Sequence, residues 1–283
     1  VTIRDAIDRH ESALQSAGIE APRVDVEWML VHLLGLTRTG LKLEADRLLS
    51  PDEEERLEAF VARRARRIPL QHLLGEVDFY GLRLRVDGRV LVPRPETELL
   101  AESAIGFLRG VSDPMVLDVG TGSGCLAIAL AVNCPGARID ALDISPDALA
   151  LAMENADRHQ VSGRILFMEG NGRVSLPAGP YDLIVSNPPY IPTGDLAGLQ
   201  PEVRDHDPRL ALDGGPDGMD FPRALAVRGS ASLRTTGRML LEIGDGQAQL
   251  VESLLLSRGW VVERTLDDLA GRPRIVIASP AVS

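Results

Sequence analysis

Apolar side chains recur at helical spacing through the first part of the chain: at Ile3, Ile7 and Leu14, then Val24, Val26, Met29, Leu30, Leu33 and Leu34, and again at Leu57, Phe60 and Val61. Breaks fall at Gly18, at Gly35 and at Ser50-Pro51, where Ser50 is a candidate N-cap, Pro51 the first helical residue and Glu53 to Glu55 an acidic first turn. Residues 1–74 therefore read as a helical bundle. From Glu76 the period becomes two: Val77, Phe79, Leu82, Leu84, Val86, Val90 and Val92 alternate with polar residues, and Gly81 and Asp87-Gly88 mark turns. Residues 75–95 read as a β-hairpin linker, ending in a stiff Pro93-Arg94-Pro95 that precedes a helix from about Glu96 to Leu108.

Beyond Pro114 strands and helices alternate. Strands are predicted over 115–119, 138–143, 165–169, 181–186 and 238–243, with helices over 125–132, 146–159, 221–233 and 247–257. A long polar loop separates the 181–186 strand from the helix at Phe221. Trp260 to Thr265 and Arg274 to Ala278 close the chain as a hairpin, whose short connection makes its last strand antiparallel to its neighbour. Residues 96–283 thus read as an α/β domain with a mostly parallel sheet and helices on both faces.

Composition narrows the partners. The 283 residues are 45% hydrophobic and 25% charged, enough apolar material for two packed domains. No apolar run approaches the roughly 20 residues of a membrane span, and the first ten residues lack a signal-peptide pattern, so no membrane partner and a cytoplasmic location are expected. A formal net charge of −11 counts against a phosphate backbone as the main partner, and no direct nucleic-acid contact is expected. The run Arg63-Arg64-Ala65-Arg66-Arg67 reads either as a local basic patch or as arginines complementing a helix C-terminus. Cys125 and Cys134 form no Cys-x-x-Cys pair and the five histidines are scattered singly, so neither a disulfide framework nor a metal site is expected.

Two stretches carry candidate chemistry. Asp118-Val119-Gly120-Thr121-Gly122-Ser123-Gly124 follows the first strand of the α/β domain and opens a helix, and alternate glycines let backbone approach a ligand closely. Asp143, about twenty residues on and at the end of the next strand, is placed to accept hydrogen bonds from ribose hydroxyls. The spacing is Gly-x-Gly-x-Gly, not the Gly-x-Gly-x-x-Gly that receives a pyrophosphate, and the acid ahead of it suits a cation better than a phosphate. It resembles the first motif of S-adenosylmethionine-dependent methyltransferases, with a dehydrogenase as the competing reading. The second stretch is Asn187-Pro188-Pro189-Tyr190, at the carboxyl end of the 181–186 strand, where open α/β sheets bind ligands. Two prolines fix φ and keep Asn187 out of the α region, aiming its amide from a stiff support. Taken alone, the tetrapeptide reads first as a rigid strand-ending turn.

The two motifs in this order, the hairpin Phe79-Tyr80-Gly81-Leu82, Leu91 to Glu98 (with Pro-Arg-Pro-Glu-Thr-Glu), Leu210-Ala211-Leu212-Asp213-Gly214-Gly215 with Asp217-Gly218, and Leu241-Glu242-Ile243-Gly244 with Gln247 together resemble the HemK/PrmC family over nearly the whole chain. The resemblance implies a Rossmann-like, seven-stranded class I methyltransferase sheet with its last strand antiparallel, behind an N-terminal bundle that docks substrate. It implies S-adenosylmethionine as cofactor, bound by Asp118, Gly120, Thr121, Gly122, Ser123, Gly124, Asp143, Asn171, Gly172 and Asn187. It also implies N5-methylation of the glutamine in the Gly-Gly-Gln motif of class I peptide chain release factors. Asn187 and the Pro188 carbonyl would accept from the glutamine amide and Tyr190 would pack on its plane, with Pro189, Arg94 and Glu98 also around the substrate. Where family members often carry an acid and then a bulky residue near the adenine, this chain has Asn171 and Gly172; Asn171 retains an acceptor, and Gly172 has no side chain to pack on a ring. The competing substrates are a glutamine of a ribosomal protein and a DNA base amino group, and the non-enzymatic alternative is a cofactor-binding accessory of translation.

Overall fold

The computed structural model describes residues 1–281, which divide into two units: Val1–Glu76 together with Gln200–His206, and Val77–Leu199 together with Asp207 onward. The first unit is built from α1 (Ile3–Ser16), α2 (Pro22–Leu34), α3 (Arg38–Leu43), α4 (Pro51–Ala65) and α5 (Leu70–Leu74). Local chemistry sets the helix ends. Thr2 and Asp5 form a capping box on α1, and Ser50 and Glu53 form one on α4, whose N1 residue is Pro51. Gly35 (φ 65°) and Gly75 (φ 76°) end α2 and α5 in the left-handed region that a side chain disfavours. Leu14, Val26, Met29, Leu30 and Leu57 fill the core of this unit.

At the start of the second unit, which begins one residue into the first strand, stand β1 (Glu76–Phe79) and β2 (Leu82–Arg85), a two-stranded sheet turned at Tyr80 and Gly81, both at positive φ as a tight hairpin turn requires. Phe79 and Leu84 are buried in the core of the α/β unit. There follow α6 (Pro95–Leu108), β3 (Met115–Val119), α7 (Cys125–Asn133), β4 (Arg138–Asp143), α8 (Pro146–Arg158), β5 (Ile165–Glu169) and β6 (Tyr181–Ser186). After α9 (Pro201–His206) come α10 (Asp220–Ser232), β7 (Leu233–Glu242), α11 (Ala248–Ser257), β8 (Trp260–Asp267) and β9 (Pro273–Pro280).

The seven-stranded sheet runs β5-β4-β3-β6-β7-β9-β8. The first five strands are parallel, and β9 lies between β7 and β8, antiparallel to both. Neighbouring residues within a strand serve opposite faces: Val116, Leu183 and Leu240 join the core with α6 and α7, while Leu117, Ile184 and Leu241 join the core with α10 and α11. Both faces are covered, so the strands read as continuous apolar runs. The chain winds outward from β3 to β5, then crosses back to β6, which makes the β3/β6 boundary a topological switch point. The glycine loop and Asn187 stand at its carboxyl end, where such sheets open a crevice.

Two elements differ from the sequence pattern. The strand expected to begin at Arg238 begins at Leu233, because Leu233 pairs with Tyr181 across an irregularity, and Gly237 permits the close approach of the Tyr181 carbonyl, 3.0 Å from where a Cβ would stand. The loop after β6 contains a helix, α9, which belongs to the helical unit. There Glu202 accepts from Arg64 (2.9 Å) and Arg67 (2.6 Å), and Arg64 also binds Asp25 at 2.7 Å. Arg64 is buried in this network, so the arginine run is neither wholly a surface patch nor only a complement to the helix dipole.

Candidate active site

Backbone conformation builds the first wall. Gly120 (φ 78°), Gly122 (φ 54°) and Gly124 (φ 79°) all lie at positive φ, so the loop from β3 to α7 turns repeatedly and exposes backbone to the cavity. The Asp143 carboxylate crosses from β4 to hold it: Oδ2 accepts the Gly122 N–H at 2.8 Å and Oδ1 the Ser145 N–H at 2.9 Å. Asn155 of α8, fully buried, braces the loop from behind. It donates to the Ser123 and Arg85 carbonyls (both 3.0 Å) and accepts the Arg85 N–H at 2.7 Å, tying the hairpin to the glycine loop.

Beneath the loop Asp118 is completely buried. Its Oδ2 accepts the Thr121 hydroxyl at 2.7 Å, and its Oδ1 has no hydrogen-bond partner. Burial pushes its pKa up to about 7 against the Thr121 hydrogen bond, and the Asp143 charge adds to the rise. Burial likewise raises Asp143, opposed by the N–H groups of Ser145 and Gly122. Cys125, which lines the same cavity, is pushed up to about 12 by burial and then by Asp118, so its thiol is inert.

The second wall is the Asn187–Tyr190 loop. Ser186 at the end of β6 donates to the Val119 carbonyl at 2.6 Å, fastening the loop's base to β3. Asn187 Nδ2 donates to Thr97 Oγ1 at 2.9 Å, which leaves Oδ1 as the amide's acceptor. Three glycines explain the other family-like segments. A Cβ on Gly214 would stand 2.8 Å from Tyr190 Cα, one on Gly244 3.0 Å from the Tyr190 ring, and one on Gly218 (φ 75°) would collide with the Tyr190 carbonyl. Gln247 completes the support, donating to that carbonyl and accepting the Gly244 N–H, each at 2.9 Å. The Ile191 carbonyl accepts the Gly214 N–H at 2.8 Å.

One cavity gathers Arg94, Gly120, Thr121, Gly122, Ser123, Asp143, Asn171, Gly172, Asn187 and Pro189, with Thr97 and Phe221. Arg94 is held there by Asp207 at 2.9 Å. Of the other expected residues, Asp118, Gly124, Pro188 and Tyr190 are not among those lining this cavity. Glu98 turns to the hairpin, where its Oε1 accepts the Tyr80 N–H at 2.8 Å. A Cβ at Gly172 would stand 2.5 Å from Val119 Cγ1, so the backbone is packed tightly there, with the Phe221 ring 3.6 Å from the same point. The aromatic surface beside Asn171 therefore comes from α10, fifty residues later in the chain. Neither Phe221 nor Asn155 carries a sequence signal; Thr97 and Glu242 were visible only as members of longer motifs.

The donor set fits S-adenosylmethionine. Close backbone at the glycines, the Asp143 carboxylate lining the cavity and a buried carboxylate with an orphaned oxygen suit a nucleoside carrying a positive charge. Fold and cavity together define an S-adenosylmethionine-dependent methyltransferase. Residues 5–75 match the family described as PrmC N-terminal domain, and residues 98–197 the methyltransferase small domain. The chain is 46% identical over 280 residues to the release factor glutamine methyltransferase of Deinococcus radiodurans, covering 99% of each protein. It is 43% identical to that of Geobacter sulfurreducens, covering 97% of this chain and 95% of the relative. A methyltransferase structure from Pyrococcus furiosus, 16% identical, shares the fold with a TM-score of 0.52 over 72% of this chain and 91% of its own. The chain belongs to the PrmC family of release factor glutamine methyltransferases.

Proposed function

We propose that this enzyme methylates the side-chain amide nitrogen N5 of the glutamine in the Gly-Gly-Gln motif of class I peptide chain release factors. The observation that carries the reading is Asn187: one N–H of its amide is held by Thr97, which orients the amide and turns its carbonyl oxygen the other way, in a cavity shared with the glycine loop. A primary amide is recognised through its two N–H groups, and an outward carbonyl on a stiff Asn-Pro-Pro support complements one of them.

S-adenosylmethionine, when bound, supplies an electrophilic methyl on a positively charged sulfur. The chain's own residues do the rest. A carboxamide nitrogen is a weak nucleophile because its lone pair is delocalised into the carbonyl. Asn187 Oδ1 and the Pro188 carbonyl, accepting from its N–H groups, raise the nitrogen's electron density and hold it in one orientation, and Tyr190 limits motion of the amide plane. Orientation and fixed dipoles of this kind lower a barrier without a strong base, since the proton departs once the nitrogen is alkylated. The glycine loop, Asp118, Asp143 and Asn171 hold the donor, and Arg94 borders the opening.

The helical unit, with its own core and no catalytic cluster, is the docking module for the release factor in this reading. A translation factor as substrate places the enzyme in the cytoplasm; among the described residues no helix is long and apolar enough to cross a membrane. The test is methylation of purified release factors, read by mass spectrometry at the Gly-Gly-Gln peptide. One added methyl on that glutamine, lost in Asn187→Ala with S-adenosylmethionine binding intact, is expected. Full activity in Asn187→Ala removes the role of Asn187, and transfer to DNA or a ribosomal protein but to no release factor overturns the substrate.

A further inference from the structure

The cofactor cavity runs along the carboxyl ends of four neighbouring strands, with Asn187 after β6, the glycine loop after β3, Asp143 at the end of β4 and Asn171 after β5. The donor's sulfur must meet the substrate amide, and its ribose lies between sulfur and base. With the amide at Asn187 and the ribose at Asp143, the base falls to the β5 end. There Asn171 is fixed by its own loop. Its Oδ1 accepts the Arg173 N–H at 3.0 Å, and its backbone carbonyl accepts the N–H groups of Val174 at 2.8 Å and Ser175 at 3.0 Å. A backbone N–H must be met by the oxygen of an amide, so Oδ1 stays on Arg173 and Nδ2, which has no partner among the described residues, turns the other way. The oxygen that the sequence offered to an adenine amino group is thus engaged, and what the side chain has left to give is a donor.

The Phe221 ring closes this end. Gly172 has no room for a side chain, and Phe221 Cε1 lies 3.6 Å from the point that a Cβ there would occupy. The Arg173 guanidinium carbon sits 5.6 Å from the ring centroid, and Arg173 also binds Asp220, the residue before Phe221, at 3.3 Å. Arg173 does not line the cofactor cavity, whereas Asn171 and Phe221 both do. One residue therefore holds two others: its N–H sets the amide and its side chain packs on the ring. We propose that Asn171 and Phe221 are the base-recognising residues of the cofactor cavity, that Asn171 Nδ2 donates to an unprotonated ring nitrogen of the adenine while Phe221 packs on the base, and that Arg173 is their positioning residue. Specificity then rests on a ring acceptor and not on the 6-amino group. This rests on S-adenosylmethionine as the donor.

The test measures binding by calorimetry, with S-adenosylhomocysteine and its 1-deaza, 3-deaza and 7-deaza analogues and an analogue carrying hydrogen in place of the 6-amino group. In wild type, one deaza analogue is expected to bind about tenfold more weakly, because it leaves the Asn171 N–H unpaired, while the 6-hydrogen analogue stays within about twofold of the parent. Asn171→Ala abolishes the deaza penalty. Asn171→Asp, which accepts the Arg173 N–H but has no N–H to donate, abolishes it too and makes the 6-amino group the one whose removal weakens binding. Phe221→Leu weakens all the ligands about tenfold, and Phe221→Tyr, which keeps the ring, stays within about threefold of wild type. Arg173→Ala retains its N–H, so the deaza penalty persists while affinity drops a few fold. A wild-type series in which removal of the 6-amino group costs tenfold and no deaza substitution does, a deaza penalty that survives Asn171→Ala, or wild-type affinity in Phe221→Leu overturns the proposal. The wild-type series decides the Asn171 contact even where a variant fails to fold. No binding of unmodified S-adenosylhomocysteine overturns the choice of donor instead, so the two failures are separable.

Discussion

Asp118 sets stability against binding, and the conflict can be measured. In the free protein its carboxyl is raised from 3.8 to about 7 by burial, with Asp143 adding to the effect and Thr121 opposing it. A group whose folded pKa lies above its unfolded value stabilises the fold at low pH, and that contribution disappears as pH rises through the folded pKa. The window here runs from about pH 4 to about pH 7. Three pH units correspond to about 4 kcal/mol between the two limits. Asp118→Asn keeps the shape and removes the charge, and the hydrogen bond from Thr121 to the ionised carboxylate is already contained in the pKa of about 7. The variant should therefore gain on wild type as pH rises, by up to about 4 kcal/mol between pH 4 and pH 8. Glu242 also titrates near 7, but it is common to both proteins and cancels in the difference.

Binding should move the other way. A cationic donor favours the ionised carboxylate, so below pH 7 wild type releases a proton on binding S-adenosylmethionine and its affinity climbs with pH. In Asp118→Asn the affinity at pH 8 should fall at least about tenfold, a difference of about 1.4 kcal/mol, and lose most of its pH dependence. Thermal melts from pH 5 to 8, with calorimetry in buffers of different ionisation enthalpy to count the proton, provide both readouts. A Tm difference that is flat with pH, or an unchanged affinity, would falsify the electrostatic account of Asp118.

Gly218→Ala places a methyl group into the Tyr190 carbonyl at a residue with φ 75°; displacing the Asn187–Tyr190 loop by a fraction of an ångström to one ångström should cost on the order of 100-fold in kcat with cofactor affinity little changed, and wild-type kcat would remove Gly218 as a support of the loop. Asn155→Ala breaks three buried hydrogen bonds between the hairpin and the glycine loop; about 2–4 kcal/mol of stability should go, together with faster amide hydrogen exchange at Arg85, while unaltered exchange there would contradict the bracing role. Arg64→Ala leaves Asp25 and Glu202 without their buried partner, so the helical unit should lose about 3–5 kcal/mol; a change below 1 kcal/mol by denaturant unfolding would show the network to be solvent-screened.

Local pattern carried most of the architecture. The shift from helical to alternating period at Glu76, the boundaries of β3, β4 and β5, and the position of the glycine loop and of Asn187 at strand ends all follow from side-chain periodicity and from where glycine and proline interrupt it. These are properties of neighbouring residues, and a sequence displays neighbours directly. The partly polar start of β7 escaped the pattern because Arg234, Thr235 and Thr236 offer no apolar alternation and the strand owes its start to pairing with Tyr181. For the same reason α9, short and polar, was invisible in a loop.

The pairing of distant residues was decided by tertiary structure. The order β5-β4-β3-β6-β7 sets the β3 and β6 loops side by side, and α6 lays Thr97 against Asn187 90 residues away. Glycines at 214, 218 and 244 can be recognised in the sequence as glycines, but only packing shows that each makes room for Tyr190. Glu98, a candidate for the substrate from its motif, turns to the Tyr80 backbone, while Phe221, with no motif of its own, reaches the cavity from α10. The sequence by itself determined the elements, the glycine loop and the Asn-Pro-Pro-Tyr support, because those depend on local backbone geometry. The hydroxyl that the Asn187 amide donates to, on Thr97, is brought to it by the fold across 90 residues, and no local rule encodes that.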